Sequence, residues 1–203
     1  MAEQQLLLKQ EAERLMQIKG NSRGEIMLTH SRYIHYKEGE KGLKAVEEKM
    51  KELGYPIQFK KINALDWYPE ALSVLVILVA REIFRWNDAD IFNMGNTGPK
   101  YSLITKMIMK YFFSLQKTFA ECPRFWQRHY DFGVLEPVDL NEKEKHITIR
   151  VKGYKFHPIV CVYYRGYFLR IAQFVLGSEK LTIEETKCMF RNDPYHEYLI
   201  KWV

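Results

Sequence analysis

Residues 181–203 have the sequence LTIEETKCMFRNDPYHEYLIKWV, and this stretch decides the fold. Polar and apolar residues alternate over Leu181–Met189 and again over Tyr195–Val203, as they do in half-buried β-strands. Between these segments, Arg191–Pro194 supplies the residue types that are common in turns. The stretch therefore predicts a β-hairpin near the C-terminus.

A second hairpin is predicted upstream of the first. His146–Val151 alternates in the same way, and Val134–Leu140 is its expected partner strand. Between the two hairpins, an apolar helix is predicted to begin at His157, to run to about Leu176 and to stop at Gly177. We therefore expect an α+β fold, in which an antiparallel β-sheet made of two hairpins near the C-terminus packs against a helical layer.

Helical spacing dominates the chain before the first hairpin. Helices are predicted over 3–18, 41–53, 68–86, 98–120 and 123–130. The spacing of Ser22 and Glu25 is that of a capping box, so another helix is expected to begin there. The run Ala71–Ala80 is apolar on every side, which predicts a buried helix. The chain is expected to divide into an appended N-terminal helix, residues 1–20, and a single ligand-binding-like α+β domain, residues 21–203.

Length and composition indicate one folded domain. The chain has 203 residues, 47% of them hydrophobic and 14% aromatic, with a net charge of +6. These values exclude a disordered chain. Three cysteines are too few for a disulfide scaffold, and Ala71–Ala80 is too short to span a bilayer. We therefore expect reduced thiols, a cytoplasmic location and no membrane span.

The familiar catalytic motifs are missing from the sequence. It contains no Gly-rich phosphate loop, no Gly-x-Ser-x-Gly and no His-Glu-x-x-His. Lys106, Lys110 and Lys117 share a helix face, but no aromatic residues are interleaved with them, so the stripe indicates a solvated face. The sequence therefore favours a non-enzymatic binding protein, and we expect no nucleic-acid partner.

Aromatic residues cluster in two segments. Phe125, Trp126 and His129 share one face of a predicted helix, while Tyr163 and Tyr167 are neighbours on a later one. Either cluster can be ordinary core packing, or both can line one cavity. The hypothesis we carry forward is a pocket that these five side chains form for a hydrophobic or anionic small molecule, with His129 fixing a polar group.

Cys188 and His196 are the candidate metal ligands. Both are four residues from Asn192, so a hairpin centred there places them opposite each other, with Cβ atoms about 5 Å apart. That separation suits a shared metal ion. The candidates for a third ligand are Cys161, His157 and Glu197. The alternative, a buried thiol beside a surface histidine, is left open.

The closing hairpin resembles the final motif of 4-vinyl-reductase-type small-molecule-binding domains. That motif is a strand ending in Cys, a Gly-Asp turn, a second Cys, an aromatic residue and a last strand. Here Asn192-Asp193 stands at the turn, His196 at the second Cys and Tyr198 at the aromatic position. The resemblance therefore implies a Cys/His variant of the two-cysteine site.

The wider superfamily includes haem–nitric-oxide sensor domains and subunits of TRAPP trafficking complexes, and its element order is similar from about Arg23 to Val203. In the haem sensors a proximal histidine precedes the hairpin, and His129 lies near that place. Their Tyr-x-Ser-x-Arg motif, which grips the haem propionates, is replaced here by residues 151–155, Val-Lys-Gly-Tyr-Lys. We therefore expect no haem, because its carboxylates would be buried without partners.

Four functional hypotheses follow. The leading one is a cytoplasmic, non-enzymatic sensor or binding domain with the aromatic pocket. The second is an interaction module without a ligand that forms a homodimer through the N-terminal helix, whose face carries Leu7, Leu8 and Leu15. A haem-based gas sensor ranks below these two, because the propionate-binding motif is missing. The last, a tetrapyrrole-modifying enzyme, is implied only by the name of the resembled family, and no residue pair looks like a tuned acid and base.

Overall fold

The structure, a computed structural model, describes residues 2–102, 105 and 114–203. The helices are α1 (Ala2–Met16), α2 (Gly24–Glu52), α3 (Glu70–Phe84), α4 (Asp88–Tyr101), α5 (Leu115–Ala120), α6 (Cys122–His129) and α7 (Ile159–Leu176). The strands are β1 (Asn21–Arg23), β2 (Trp67–Pro69), β3 (Val134–Asn141), β4 (His146–Lys152), β5 (Leu181–Lys187) and β6 (His196–Trp202). The predicted α+β class and its helical layer are confirmed.

The two predicted hairpins form a single sheet. Strands β4 and β6 pair antiparallel, which gives the order β3-β4-β6-β5. Alternate side chains of the two central strands are buried, among them Ile147, Ile149, Tyr198 and Ile200. Helix α7 covers this face, and the rings of Phe168 and Tyr198 lie 5.1 Å apart. The sheet and α7 together form one side of the core.

Helices α4 and α7 are in backbone contact at two glycines. A Cβ atom on Gly95 would lie 1.9 Å from the carbonyl oxygen of Tyr163, and one on Gly166 would lie 2.0 Å from that of Phe92. Asn96 adds a hydrogen bond from its Nδ2 to the Gly166 carbonyl, at 3.2 Å. Any larger residue at either glycine would force the helices apart. These two positions therefore determine how closely α7 packs against α4.

The predicted capping box at Ser22 is wrong. Ser22 lies in β1, where it pairs with Tyr68, and α2 begins after Arg23 without a capping side chain. The first amide of α2, that of Gly24, donates instead to the carbonyl of Asp66 at 2.9 Å. A loop distant in sequence thus satisfies a donor that a cap would otherwise bind.

The predicted helix over 98–120 is wrong at its start. Asn87 and Asp90 form a reciprocal capping box that begins α4, and this helix continues through Pro99. Pro99 lies close to the end of α4, where one missing backbone hydrogen bond leaves the preceding turns intact. The dipeptide Gly98-Pro99 therefore lies in the last turns of α4 and does not begin a helix.

Helix α1 packs against the domain. Ala12 and Leu15 are fully buried, and Arg14 donates a hydrogen bond to the carbonyl of Phe156 at 2.6 Å. Leu7, from the predicted leucine face, remains exposed. The division into an appended helix and a domain stays a prediction, as does dimerisation.

Within the described residues one helix, α7, is long and apolar enough to cross a membrane by length and composition. Half of that window is buried inside the protein, as in the core helix of a globular fold. Arg165 and Arg170 interrupt the apolar sequence of α7. The cytoplasmic location stays a prediction.

A buried carboxyl group lies where α3 begins. Glu70 is 2% exposed, and the hydroxyl of Tyr154 donates a hydrogen bond to its Oε1. Burial raises the pKa of Glu70 to about 7, although the nearby hydroxyl groups, including the one that Tyr154 donates, oppose the shift. The neutral carboxyl is therefore the form that the core favours.

We expect Glu70 to make the protein less stable as pH rises. Its pKa is 4.5 when unperturbed and about 7 in the fold, so its contribution is fully present below pH 4.5 and is lost as pH rises to 7 and beyond. The loss is on the order of 3 kcal/mol. Glu70→Gln should remove this part of the pH dependence. Urea unfolding of both proteins at pH 5 and pH 8 measures it, and parallel pH profiles would contradict the assignment.

Candidate functional site

An apolar cavity of about 90 Å³ lies between the sheet and helices α5, α6 and α7. Helix α6 contributes Phe125, Trp126 and His129, and α7 contributes Tyr164, Tyr167, Phe168 and Ala172. The sheet side is formed by Leu135, Ile147, Ile149 and Ile200. Elements far apart in the sequence thus meet around one aromatic-lined space.

The structure places four of the five predicted pocket residues on this cavity, namely Phe125, Trp126, His129 and Tyr167. Tyr163 lies elsewhere. Its ring packs edge-on against that of His30, with the centroids 5.1 Å apart, and its carbonyl meets α4.

Tyr164 lines the cavity in place of Tyr163. The prediction of Tyr163 depended on its four-residue spacing from Tyr167, which places the two side chains next to each other on a helix. The cavity face of α7 carries Tyr164, Tyr167, Phe168, Ile171 and Ala172. This is the i, i+3, i+4, i+7, i+8 pattern of one helix face, which a count over the whole helix could have found.

Trp126 is held in a defined orientation. Its indole Nε1 donates a hydrogen bond to the carbonyl of Phe132 at 2.8 Å. Its ring stacks on Tyr130, with centroids 4.4 Å apart, and lies 5.8 Å from that of Tyr164. The large aromatic surface is therefore preorganised, so a ligand that contacts it pays little ordering entropy.

His129 is buried beside the cavity. Its Nδ1 lies 2.9 Å from the carbonyl oxygen of Phe125. A carbonyl can only accept, so Nδ1 carries the proton and Nε2 carries the lone pair. Burial lowers the pKa of His129, while the Phe125 carbonyl and the nearby charge of Glu25 oppose that shift. A neutral imidazole with a fixed tautomer can bind a metal ion or accept a hydrogen bond.

The described lining of the cavity is uncharged at neutral pH. It contains no Lys, Arg, Asp or Glu, and burial raises the pKa of Cys122 and of Tyr167 to about 12 each. Lys106 and Lys110 of the predicted lysine stripe lie outside the described residues. Between the two ligand classes expected from the sequence, this lining favours a hydrophobic ligand over an anionic one.

Cys188 and His196 lie on either side of the β5–β6 turn. They adjoin Lys187 and Glu197, the last pair of residues that join the two strands before the turn. Both are buried, so the alternative of a surface histidine is wrong. Of the candidate third ligands, Cys161 joins them, with its Sγ 3.6 Å from that of Cys188. His157 and Glu197 form ion pairs elsewhere.

Solved structures of other proteins share this fold. One is an H-NOX protein from S. oneidensis in the Fe(II)NO ligation state, with a TM-score of 0.66 and 11% identity, over 89% of this chain and 99% of that one. Another is an oxygen-binding H-NOX domain related to soluble guanylate cyclases, in its oxygen complex, with a TM-score of 0.59 and 15% identity, over 89% and 94%. No protein-family model and no curated protein matches the sequence.

A third neighbour comes from work described as probing the function of heme distortion in the H-NOX family, with a TM-score of 0.61 and 16% identity, over 89% of this chain and 94% of that one. At these identities the likeness shows the fold. It also corrects the sequence-based expectation of no haem, which is wrong. That expectation depended on the absent Tyr-x-Ser-x-Arg motif, yet two of these neighbours are described with Fe(II)NO ligation and with heme.

We expect Ala172→Leu to fill the cavity without loss of stability. Ala172 lines the cavity, so the added carbons enter existing space and should stabilise the protein by about 1–2 kcal/mol. The matched control is Ala12→Leu, because Ala12 is fully buried on α1 and lines no described cavity. The control should destabilise by about 1–3 kcal/mol through overpacking. Guanidinium unfolding measures both, and equal losses would contradict the presence of usable space.

Proposed function

We propose that this chain is a small-molecule sensor domain whose ligand binds in the cavity between the sheet, α6 and α7. The observation that carries the proposal is an uncharged, aromatic-lined cavity that contains a neutral histidine of fixed tautomer, His129. Apolar pockets with a few well-placed polar groups are the usual form of a small-molecule site. His129 supplies the polar contact, and Trp126 and Tyr167 supply stacking surface.

The ligand would contact three structural units together, which suits a sensor. Phe125 and Trp126 belong to α6, Tyr164 and Tyr167 to α7, and Ile149 to the sheet. A ligand that fits between these units changes how they pack, because a packed core responds to added volume by shifting its elements. No acid–base pair lines the described part of the cavity, which favours binding over catalysis. The closing hairpin supports a grouping with 4-vinyl-reductase-type domains within this proposal.

Haem is the first ligand to test, because one neighbour of this fold is described with heme and another with an Fe(II)NO ligation state. The donor chemistry of His129 fits an axial iron ligand, whose other ring nitrogen typically donates to a carbonyl. The volume of about 90 Å³ does not fit a porphyrin, since ligand pockets span roughly 300–1,000 Å³. The described lining also has no cation for the propionates, and the hydroxyl of Tyr154 is bonded to Glu70. Haem would therefore require the cavity to widen.

We expect ligand binding to depend on His129 or on the free space beside it. Hemin and benzene are the two probes. If haem is the ligand, titration should produce a Soret band that saturates at one equivalent and is lost in His129→Ala. The control is His35→Ala, because His35 is exposed on α2.

If a small apolar molecule is the ligand, benzene should shift the NMR signals of cavity residues, and Ala172→Leu should abolish those shifts. Failure of both probes with the folded wild-type protein would contradict the proposed function. A Soret band that survives in His129→Ala would contradict the assigned role of His129.

A further inference from the structure

Four potential metal ligands converge away from the cavity. Cys161 lies in the first turn of α7, Glu185 on β5, Cys188 directly after β5, and His196 at the start of β6. One ligand atom from each lies within 4.8 Å of every other. Cys161, Cys188 and His196 are at most 6% exposed, and the side chain of Glu185 is 11% exposed. The group is therefore compact enough for one ion to reach a ligand atom of each of the four residues.

The distances within this cluster are close to the edges of a tetrahedron around zinc. The Sγ atoms of Cys161 and Cys188 are 3.6 Å apart, and the Sγ of Cys161 is 3.7 Å from His196 Nδ1. With Zn–S bonds of about 2.3 Å and a Zn–N bond of about 2.05 Å, the corresponding edges are about 3.8 and 3.6 Å. The backbone therefore already brings these ligand atoms to coordination distance.

His196 is oriented as a metal ligand. Its Nε2 lies 2.9 Å from the carbonyl oxygen of Tyr154, so Nε2 carries a proton and donates it there. Its Nδ1 faces the Sγ of Cys161 and, at 3.0 Å, the Oε1 of Glu185. A backbone carbonyl on the outer nitrogen is the usual means of fixing the tautomer of a ligating histidine. Without a metal, Nδ1 donates to the Glu185 carboxylate, which can only accept. Once that proton is released, the Nδ1 lone pair points into the cluster.

Cys188 is held by the turn that follows it. Its backbone amide donates to Asp193 Oδ2 at 2.8 Å, and its carbonyl accepts from the amides of Arg191 and Asp193 at 2.8 and 3.2 Å. Asn192 completes the turn with a φ of 69°, a conformation that Asn tolerates better than most residues. This compact turn fixes the direction of the thiol.

We propose that Cys161, Glu185, Cys188 and His196 form a closed structural site for a divalent zinc ion. Two thiolates and an imidazole select zinc over the hard cations Mg²⁺ and Ca²⁺, and four protein ligands leave no open position for catalysis. Binding displaces to solvent the thiol protons of both cysteines and the Nδ1 proton that His196 donates to Glu185. Three anionic ligands around Zn²⁺ leave one negative charge, and the guanidinium of Arg191 lies beside Glu185, bonded to its carbonyl at 3.3 Å.

The site would join α7 to the terminal hairpin. Without the metal, these elements meet through packing such as that of Phe168 on Tyr198. A zinc ion adds four bonds between the first turn of α7 and both strands of the hairpin, so its binding free energy adds to the stability of the fold. Because the site lies apart from the cavity lining, its test is independent of the proposed sensor function.

The test is the metal content of the full-length protein, expressed in zinc-supplemented medium and dialysed against buffer without chelator. We expect one zinc per chain by mass spectrometry of the metal. Replacement by Co²⁺ should give the visible bands of a tetrahedral, thiolate-ligated ion. Cys161→Ser and Glu185→Gln should each lower zinc affinity at least about tenfold. The matched controls, Cys122→Ser and Glu184→Gln, should leave it unchanged.

A measurement on the wild type covers the case in which the variants fail to fold. A strong chelator should lower the melting temperature of the wild-type protein, and stoichiometric zinc should restore it. Metal-free wild type whose Co²⁺ titration gives no tetrahedral spectrum would overturn the proposal. A Cys161–Cys188 disulfide in freshly purified, metal-free protein would overturn it as well, as would equal zinc loss in the control variants.

Discussion

The backbone contact between α4 and α7 is the constraint on which the rest of the structure depends. With glycines at positions 95 and 166, the two helices approach until carbonyl groups occupy the space of missing side chains. This contact sets the rotation of α7 about its own axis. Each face of α7 contacts a different part of the protein. One face meets α4, another carries Tyr164 and Tyr167 to the cavity, and the first turn carries Cys161 to the hairpin.

The cavity and the cysteine–histidine cluster are therefore two consequences of one helix position. Both are built from side chains of α7 and from the sheet below it. They differ in chemistry, since the cavity is apolar with the neutral His129, while the cluster gathers thiols, an imidazole and a carboxylate. Anything that shifts α7 on α4 would alter both sites, whereas a change confined to the β5–β6 turn would reach the cluster alone.

Sequence signals succeeded where the partner of a residue is close by in the chain. The alternation of β4 and β6 and the end of α7 at Gly177 depend on neighbours within a few positions. The capping box at Ser22 failed because Ser22 is bound into a small sheet with Tyr68. The first backbone amides of α2 donate to carbonyl groups of a loop that is distant in sequence. A local sequence motif cannot indicate such partners.

By itself, the sequence determined the α+β class, the two hairpins, the approach of Cys188 to His196 and four of the residues around the cavity. These follow from periodicities of two and 3.6 residues and from turn geometry, which are local properties. Only the tertiary structure decided that Tyr164 rather than Tyr163 faces the cavity, and that Cys161 and Glu185 complete the cluster. The physical reason is that periodicity defines the faces of a helix, whereas the close contact of two glycine-bearing helices decides where each face points.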